Sequence, residues 1–256
     1  MTLVERQVYL DQLQALLADA RRGRGRVVVL TGDAGVGKSA LARAFAGTGA
    51  LDVRILWSAC ENLSTPDPLG PLHDLAREAK WDLPQALGKP GGRHAAFSEC
   101  LGVFDDRTRT NLVVIEDVHW ADSATLDFIR FLGRHIHNTH ILLLVTVCGD
   151  EARGRLHLRR LLADVPSDDV LRIDVPLLTE GAVIGLAQKT SLDGRALYRA
   201  TAGNAYFVTE LLHTGRDDEF PQPRVTQYLR TPIVCLLPPG RYWTQSRFFH
   251  GTLKFL

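Results

Sequence analysis

No stretch of this sequence stays apolar for the roughly 20 residues that a membrane-spanning helix needs. The longest largely apolar run, Ile141 to Cys148, is far shorter, which excludes a helical integral membrane protein. Cysteine is scarce. Cys60, Cys100, Cys148 and Cys235 are scattered with no CxxC pair, which argues against a zinc site or disulfide framework and fits a reducing, cytoplasmic setting. The N-terminus lacks the basic-then-apolar order of a secretory signal, because Glu5 and Asp11 lie inside an amphipathic pattern. A net charge of +1 gives no electrostatic case for nucleic acid. What is present suffices for a full core: 45% of the 256 residues are hydrophobic and 23% charged, which excludes disorder over most of the chain.

One segment departs from that average. Residues 220–256 contain no acid, while Pro221, Pro223, Pro232, Pro238 and Pro239 interrupt any helical or strand period. Upstream, short β-branched runs alternate with amphipathic helices. The pattern predicts strands over Val27–Leu30, Val53–Trp57, Leu112–Ile115, Ile141–Val147 and Val170–Val175. Helices are expected over Glu5–Ala20, from Lys38, and over Leu72–Lys80, His94–Phe104, Leu156–Ala163 and a segment capped by Ser123 that runs to His135. Three further helices, Thr179–Lys189, Asp193–Thr201 and Ala205–His213, follow with no strand between them. The expected architecture is α/β: a parallel five-stranded sheet flanked by helices over 1–176, a partial helical lid over 177–215, and a Pro- and aromatic-rich tail over 216–256.

Gly32-Asp33-Ala34-Gly35-Val36-Gly37-Lys38-Ser39 fits GxxxxGK[ST], leaves a strand and opens a helix. Glycines let the backbone curl so that successive N–H groups face phosphate oxygens, and the helix N-terminus adds its positive dipole end. Lys38 supplies a charge to the β- and γ-phosphates, and the Ser39 hydroxyl is a Mg²⁺ ligand. Eighty residues on, Leu112-Val113-Val114-Ile115 ends in Glu116-Asp117. Acids at the carboxyl end of a parallel strand stand where such sheets bind ligands. Glu116 is assigned to the metal and Asp117 to the attacking water, with the reverse order left open. No NKxD-like guanine motif is present.

With these residues in view, the chain resembles the N-terminal ATPase module of large LuxR-type transcriptional regulators, in the STAND branch of AAA-like P-loop ATPases. The resemblance is carried by Val4-Glu5-Arg6-Gln7, the phosphate loop, Pro68-Leu69-Gly70-Pro71-Leu72, Glu116-Asp117-Val118-His119-Trp120-Ala121-Asp122, Leu158-Arg159-Arg160-Leu161-Leu162, and Gly203-Asn204-Ala205-Tyr206-Phe207. It implies a P-loop NTPase of the ASCE/AAA-like type that binds ATP with Mg²⁺. Nucleotide contacts are implied at Arg6 and from Gly32 through Ala40. It also implies a switch role, through self-association or contact with other regulator domains. No segment of this chain reads as the family's DNA-binding domain.

Several positions depart from the family pattern. Glu5 stands where its VGRE signature has glycine and Gln7 where it has glutamate, although Arg6 matches. Cys148 stands where an arginine would sense the γ-phosphate, and a thiol cannot supply that bidentate charge. Ala205 replaces the lid proline of Gly-Asn-Pro. These changes bear on hydrolysis and switching more than on binding. The expected function is therefore an ATP-binding regulatory switch module with weak or impaired Mg-dependent hydrolysis. The alternatives are a non-catalytic nucleotide-binding scaffold and a truncated fragment. The tail matches nothing in the family; the expectation is that it is read out of frame, with a native but divergent tail as the alternative. Among smaller features, His119 and Trp120 are expected to pack the helix that follows them. His135, His137 and His140 read as a solvated helix end and not a metal site. Arg153, Arg155, Arg159 and Arg160 read as a solvated face.

Overall fold

The structure is a computed structural model that describes residues 3–48, 52–63, 67–105, 107–148, 165–188 and 190–214, together with Thr65 and Arg159. All of these fall in one compact unit, Met1–Asp218. The tail expected over 216–256, the Leu156–Ala163 helix, and Arg153, Arg155 and Arg160 lie outside the described residues.

Five strands form one wholly parallel sheet: β1 (Arg26–Thr31), β2 (Val53–Ala59), β3 (Thr110–Glu116), β4 (Ile141–Thr146) and β5 (Val170–Asp174). Their spatial order is β2-β3-β4-β1-β5. All five sequence-predicted strands are present.

The strands read as unbroken apolar runs because both faces of the sheet are covered. Val27 and Val29 of β1, Val113 and Ile115 of β3, and Leu143 and Val145 of β4 point to one core. There they meet Leu72 and Leu75 of α3 (Gly70–Ala79), Ala86 of α4 (Leu83–Leu87), Phe97 and Phe104 of α5 (Gly92–Phe104), and Phe128 and Leu132 of α6 (Ser123–His135). The alternate residues Val28, Leu30, Leu112, Val114, Leu142 and Leu144 point to the other core. That core is closed by Leu13 and Leu17 of α1 (Gln7–Arg21) and by Leu41 and Phe45 of α2 (Lys38–Gly47). Every residue of β3 and β4 is buried.

Three last helices, α7 (Glu180–Ala187), α8 (Gly194–Thr201) and α9 (Ala205–Thr214), enclose a small core of their own around Val183, Leu197 and Val208. Gly203 leaves α8 with φ +78, and a Cβ there would strike the Leu178 carbonyl oxygen, so this turn needs glycine. Two details differ from the sequence reading. The short helix α4 was not anticipated; Asp82 caps it by accepting from Gln85 N at 2.9 Å, and Pro84 lies in its first turn. The cap of α6 is Asp122, not Ser123: its carboxylate accepts from Ala124 N at 2.8 Å and Thr125 N at 3.1 Å, leaving Ser123 as the first helical residue.

Candidate functional site

The site forms at the carboxyl edge of the sheet. There β1 is an interior strand, with β4 on one side and the edge strand β5 on the other, where a parallel sheet opens a crevice. The strand registers bring Leu30 opposite Thr146, and Val145 opposite Ile115, so β1, β4 and β3 end at nearly one level.

The loop that leaves β1 turns on Gly32 (φ +141), Gly35 (φ +80) and Gly37 (φ +100), and Gly37 starts α2. Its backbone is held from within. Lys38 is buried, and its Nζ donates to the carbonyls of Gly32 and Asp33, each at 2.8 Å. The ammonium thus spans the bend that its own charge would serve when an anion enters. Ser39 and Ala40 follow in the first turn of α2, both half-buried.

Arg6, just ahead of α1, is also buried. Its Nη2 donates to Pro176 O at 2.6 Å and to Val36 O at 3.4 Å, so one guanidinium ties the loop to the segment that leads into the trailing helices. Burial lowers its pKa from the ordinary arginine value. Glu5 has φ +58, the conformation for which glycine is the easy choice. The departure from VGRE therefore keeps the backbone turn and adds a carboxylate. That carboxylate accepts from Thr179 N at 2.9 Å and also from the Thr179 hydroxyl, and Thr179 caps α7.

Burial acts to raise the Glu5 pKa, but the two Thr179 hydrogen bonds and the charge of Arg6 together lower it, and the net shift is downward from 4.5. A depressed acid stabilises above its unfolded pKa and loses that contribution as pH falls through the folded one. The Glu5–Thr179 tie should therefore contribute fully above about pH 4.5 and be lost as pH falls further, through the depressed pKa. Glu5→Gln is expected to remove this pH-dependent step from amide-exchange protection at the start of α7, while protection in the sheet stays unchanged.

The trailing helices touch the loop directly. Asn204 Nδ2 donates to Ala34 O at 2.8 Å, and Tyr206 N donates to Gly35 O at 2.9 Å. A Cβ on Gly35 would sit 2.6 Å from Asn204 Oδ1, so the second loop glycine is what admits this approach. Ala205 Cβ lies near Gly37, 3.9 Å from where a Cβ would be.

The two acids separate by face. Glu116 continues the Leu112–Val114 row towards α2 and is 1% exposed. Its Oε2 accepts from Trp57 Nε1 at 2.9 Å and from Arg43 Nη2, one helical turn beyond Ser39, at 3.3 Å. Its Oε1 is buried with no hydrogen-bond partner among the described residues. An oxygen left in that condition is costly unless a cation is added, so this donor set fits a divalent ion. Asp117 leaves the strand with φ +55, its N–H donating to Thr146 Oγ1 at 2.8 Å, and its side chain is 35% exposed. Cys60, close enough to feel Asp117 and Asp122, has its thiol pushed up to about 12, chiefly by burial. It is no nucleophile at neutral pH.

Further along the same segment, Asp122 and His119 bond to backbone N–H groups of neighbouring segments. Asp122 Oδ2 accepts from Leu69 N at 3.3 Å, joining the Pro68–Leu72 segment to the cap of α6. His119 is buried, and its Nδ1 accepts from Cys148 N at 3.4 Å. His135, His137 and His140 are not brought together. They bond separately to Phe131 O, Asp169 and Asp105, and no cluster of three or more His, Cys, Asp or Glu placed to hold a metal occurs among the described residues. Arg43, Trp57, Thr146 and Asn204 are site neighbours that sequence reading did not assign.

A β1–β4–β3 arrangement with a glycine loop on β1 and acids ending β3 defines the P-loop NTPase fold. Residues 2–145 match the AAA ATPase domain family, and the chain belongs to that family. Among curated proteins none matches the sequence. Among solved structures the chain is similar to the ORC1 protein of Aeropyrum pernix in complex with DNA, with 17% identity and TM-score 0.61 over 90% of this chain and 65% of that one. It is also similar to the ORC2 protein of that organism in ADPNP–ADP complexes, with 14% identity and TM-score 0.56 over 91% and 69%. A third likeness is to a signal transduction ATPase with numerous domains (STAND) from Pyrococcus horikoshii with a tetratricopeptide repeat sensor, with 15% identity and TM-score 0.50 over 84% and 31%. The chain thus spans about two thirds of the ORC proteins and under one third of the STAND protein. At these identities the likeness is one of fold.

Proposed function

We propose that this chain is an ATP-binding switch module of a multidomain cytoplasmic regulator of the LuxR type, with weak Mg²⁺-dependent hydrolysis. The observation that carries this reading is the joint between loop and trailing helices. Asn204 and Tyr206 hydrogen-bond to the two loop residues Ala34 and Gly35, and Arg6 links Val36 to Pro176. Anything that moves the loop therefore acts on α7–α9, which serve as the lid.

In this reading the amides of the 32–40 loop and Lys38 take the phosphates. Ser39 and Glu116 hold Mg²⁺, which would neutralise charge on the phosphate oxygens. Asp117, fixed through Thr146, orients the attacking water. Cys148 is buried at the end of β4, where the family resemblance implies an arginine, and supplies no guanidinium. Slow turnover follows from that loss. The same observation favours the second reading, a nucleotide-bound scaffold that does not turn over.

A titration with a fluorescent ATP analogue, paired with phosphate-release kinetics, tests the proposal. Saturable Mg²⁺-dependent binding with turnover above a no-enzyme control is expected. Tight binding at background turnover would select the scaffold, and no binding would overturn both readings.

A further inference from the structure

A second concavity lies on the other face of the sheet, between α5 and α6, and the nucleotide site does not use it. Its volume is about 500 Å³, within the range of small-molecule sites. Its walls are Arg93, His94 and Phe97 from α5 and Arg130, Phe131 and Arg134 from α6. On α6 the lining positions recur at helical spacing, Asp127, Arg130, Phe131 and Arg134, so they form one stripe, while Phe128, Ile129 and Leu132 turn into the core.

The floor is aromatic. Phe131 lies 5.7 Å from Phe97 between ring centroids, 5.5 Å from His94 edge-on, and 4.4 Å from His135. The rim carries the guanidiniums of Arg93 and Arg134, while Arg130 is engaged by partners that include Asp127 at 3.6 Å. Arg93 and Arg134 are exposed and make no ion pair among the described residues. A floor of edge-on and tilted rings beside guanidiniums is complementary to a planar ring bearing an anionic group.

We infer that the groove between α5 and α6 is a binding site for a small aromatic acid, separate from the nucleotide site. The volume accommodates one ring system, the ring floor takes its face, and Arg93 and Arg134 take its anionic group. The inference stands on this groove alone and does not depend on the ATPase reading.

The test uses the full chain and two dyes at low salt, where surface charge is least screened. One is 1-anilinonaphthalene-8-sulfonate; the other is N-phenyl-1-naphthylamine, the same ring system without the sulfonate. The sulfonate is expected to bind saturably, one per chain, and about tenfold tighter than the neutral amine. The double variant Arg93→Gln/Arg134→Gln should weaken the sulfonate by about tenfold and leave the amine unchanged. Asp127→Asn, which removes the one carboxylate, should tighten the sulfonate a few-fold, so the inference stays testable even if the double variant folds poorly. Mg-ATP should not displace the dye. Equal affinity for the two dyes, indifference to all three substitutions, or displacement by Mg-ATP would each overturn the assignment.

Discussion

Lys38→Ala is expected to abolish the thermal stabilisation that Mg-ATP gives the wild-type chain. A ligand at 100 times its Kd stabilises the folded state by about 2.7 kcal/mol, which for a domain of this size raises Tm by roughly 5–10 °C. If the variant binds about 100-fold more weakly, the same ligand concentration contributes only about 0.4 kcal/mol, a shift of roughly 1 °C. The absolute melting temperature is the wrong readout. In the ligand-free protein Lys38 Nζ already donates to Gly32 O and Asp33 O, so its removal loosens the loop whether or not nucleotide is present. Losing those bonds costs on the order of 1–3 kcal/mol by itself, and the variant should start from a lower Tm. The ligand-induced difference isolates binding. A variant that keeps the full wild-type shift would remove Lys38 from the phosphate site and with it the proposed function.

The fold and part of the candidate site are legible in the sequence. The strands showed because a parallel sheet covered on both faces turns into contiguous apolar runs, and β1, β3 and β4 are such runs. The phosphate loop showed because its chemistry is local, with glycines, lysine and serine all within one turn of chain. What sequence could not show is contact at long separation. Asn204 reaches Ala34 across 170 residues, and Glu5 reaches Thr179 across 174. Glu5 is instructive, because the sequence registers it as a lost glycine. In the structure it holds the positive φ that glycine would have held, and its carboxylate bonds to the cap of α7. The environment of Glu116 was hidden for a related reason. Strand register decides that Trp57 of β2 and Arg43 of α2 meet the carboxylate, and register is a property of the assembled sheet. The missed helix α4 and the displaced α6 cap are local errors: Asp82 and Asp122 were available as caps, but the sequence alone did not rank Asp122 above Ser123.

Glu116→Gln should move stability and function in opposite directions. In the ligand-free wild type the buried Oε1 has no hydrogen-bond partner among the described residues, while Oε2 is held by Trp57 and Arg43. Glutamine has the same shape and keeps an oxygen for the indole N–H, but it removes a charged, half-satisfied group from a position that is 1% exposed. Its amide nitrogen takes the unpartnered position of Oε1, but the buried charge is gone, and the desolvation of that charge is the larger cost, while the exposed Arg43 gives up little when its partner becomes neutral. In EDTA the variant should therefore melt at the wild-type temperature or a few degrees above it. With ATP and Mg²⁺ the order should reverse, because the amide is a poor ligand for a hard divalent cation. The added stabilisation that Mg²⁺ gives over ATP alone should shrink to near zero, and turnover should fall by about 100-fold. A variant that melts lower than wild type in EDTA would mean that the carboxylate is a structural partner of Arg43 and Trp57 and not a cation site. Retention of the full Mg²⁺ effect would transfer the metal role to Asp117. The opposed signs matter because a simple packing defect lowers both quantities together, whereas a carboxylate left incompletely satisfied for the sake of a ligand lowers one and raises the other.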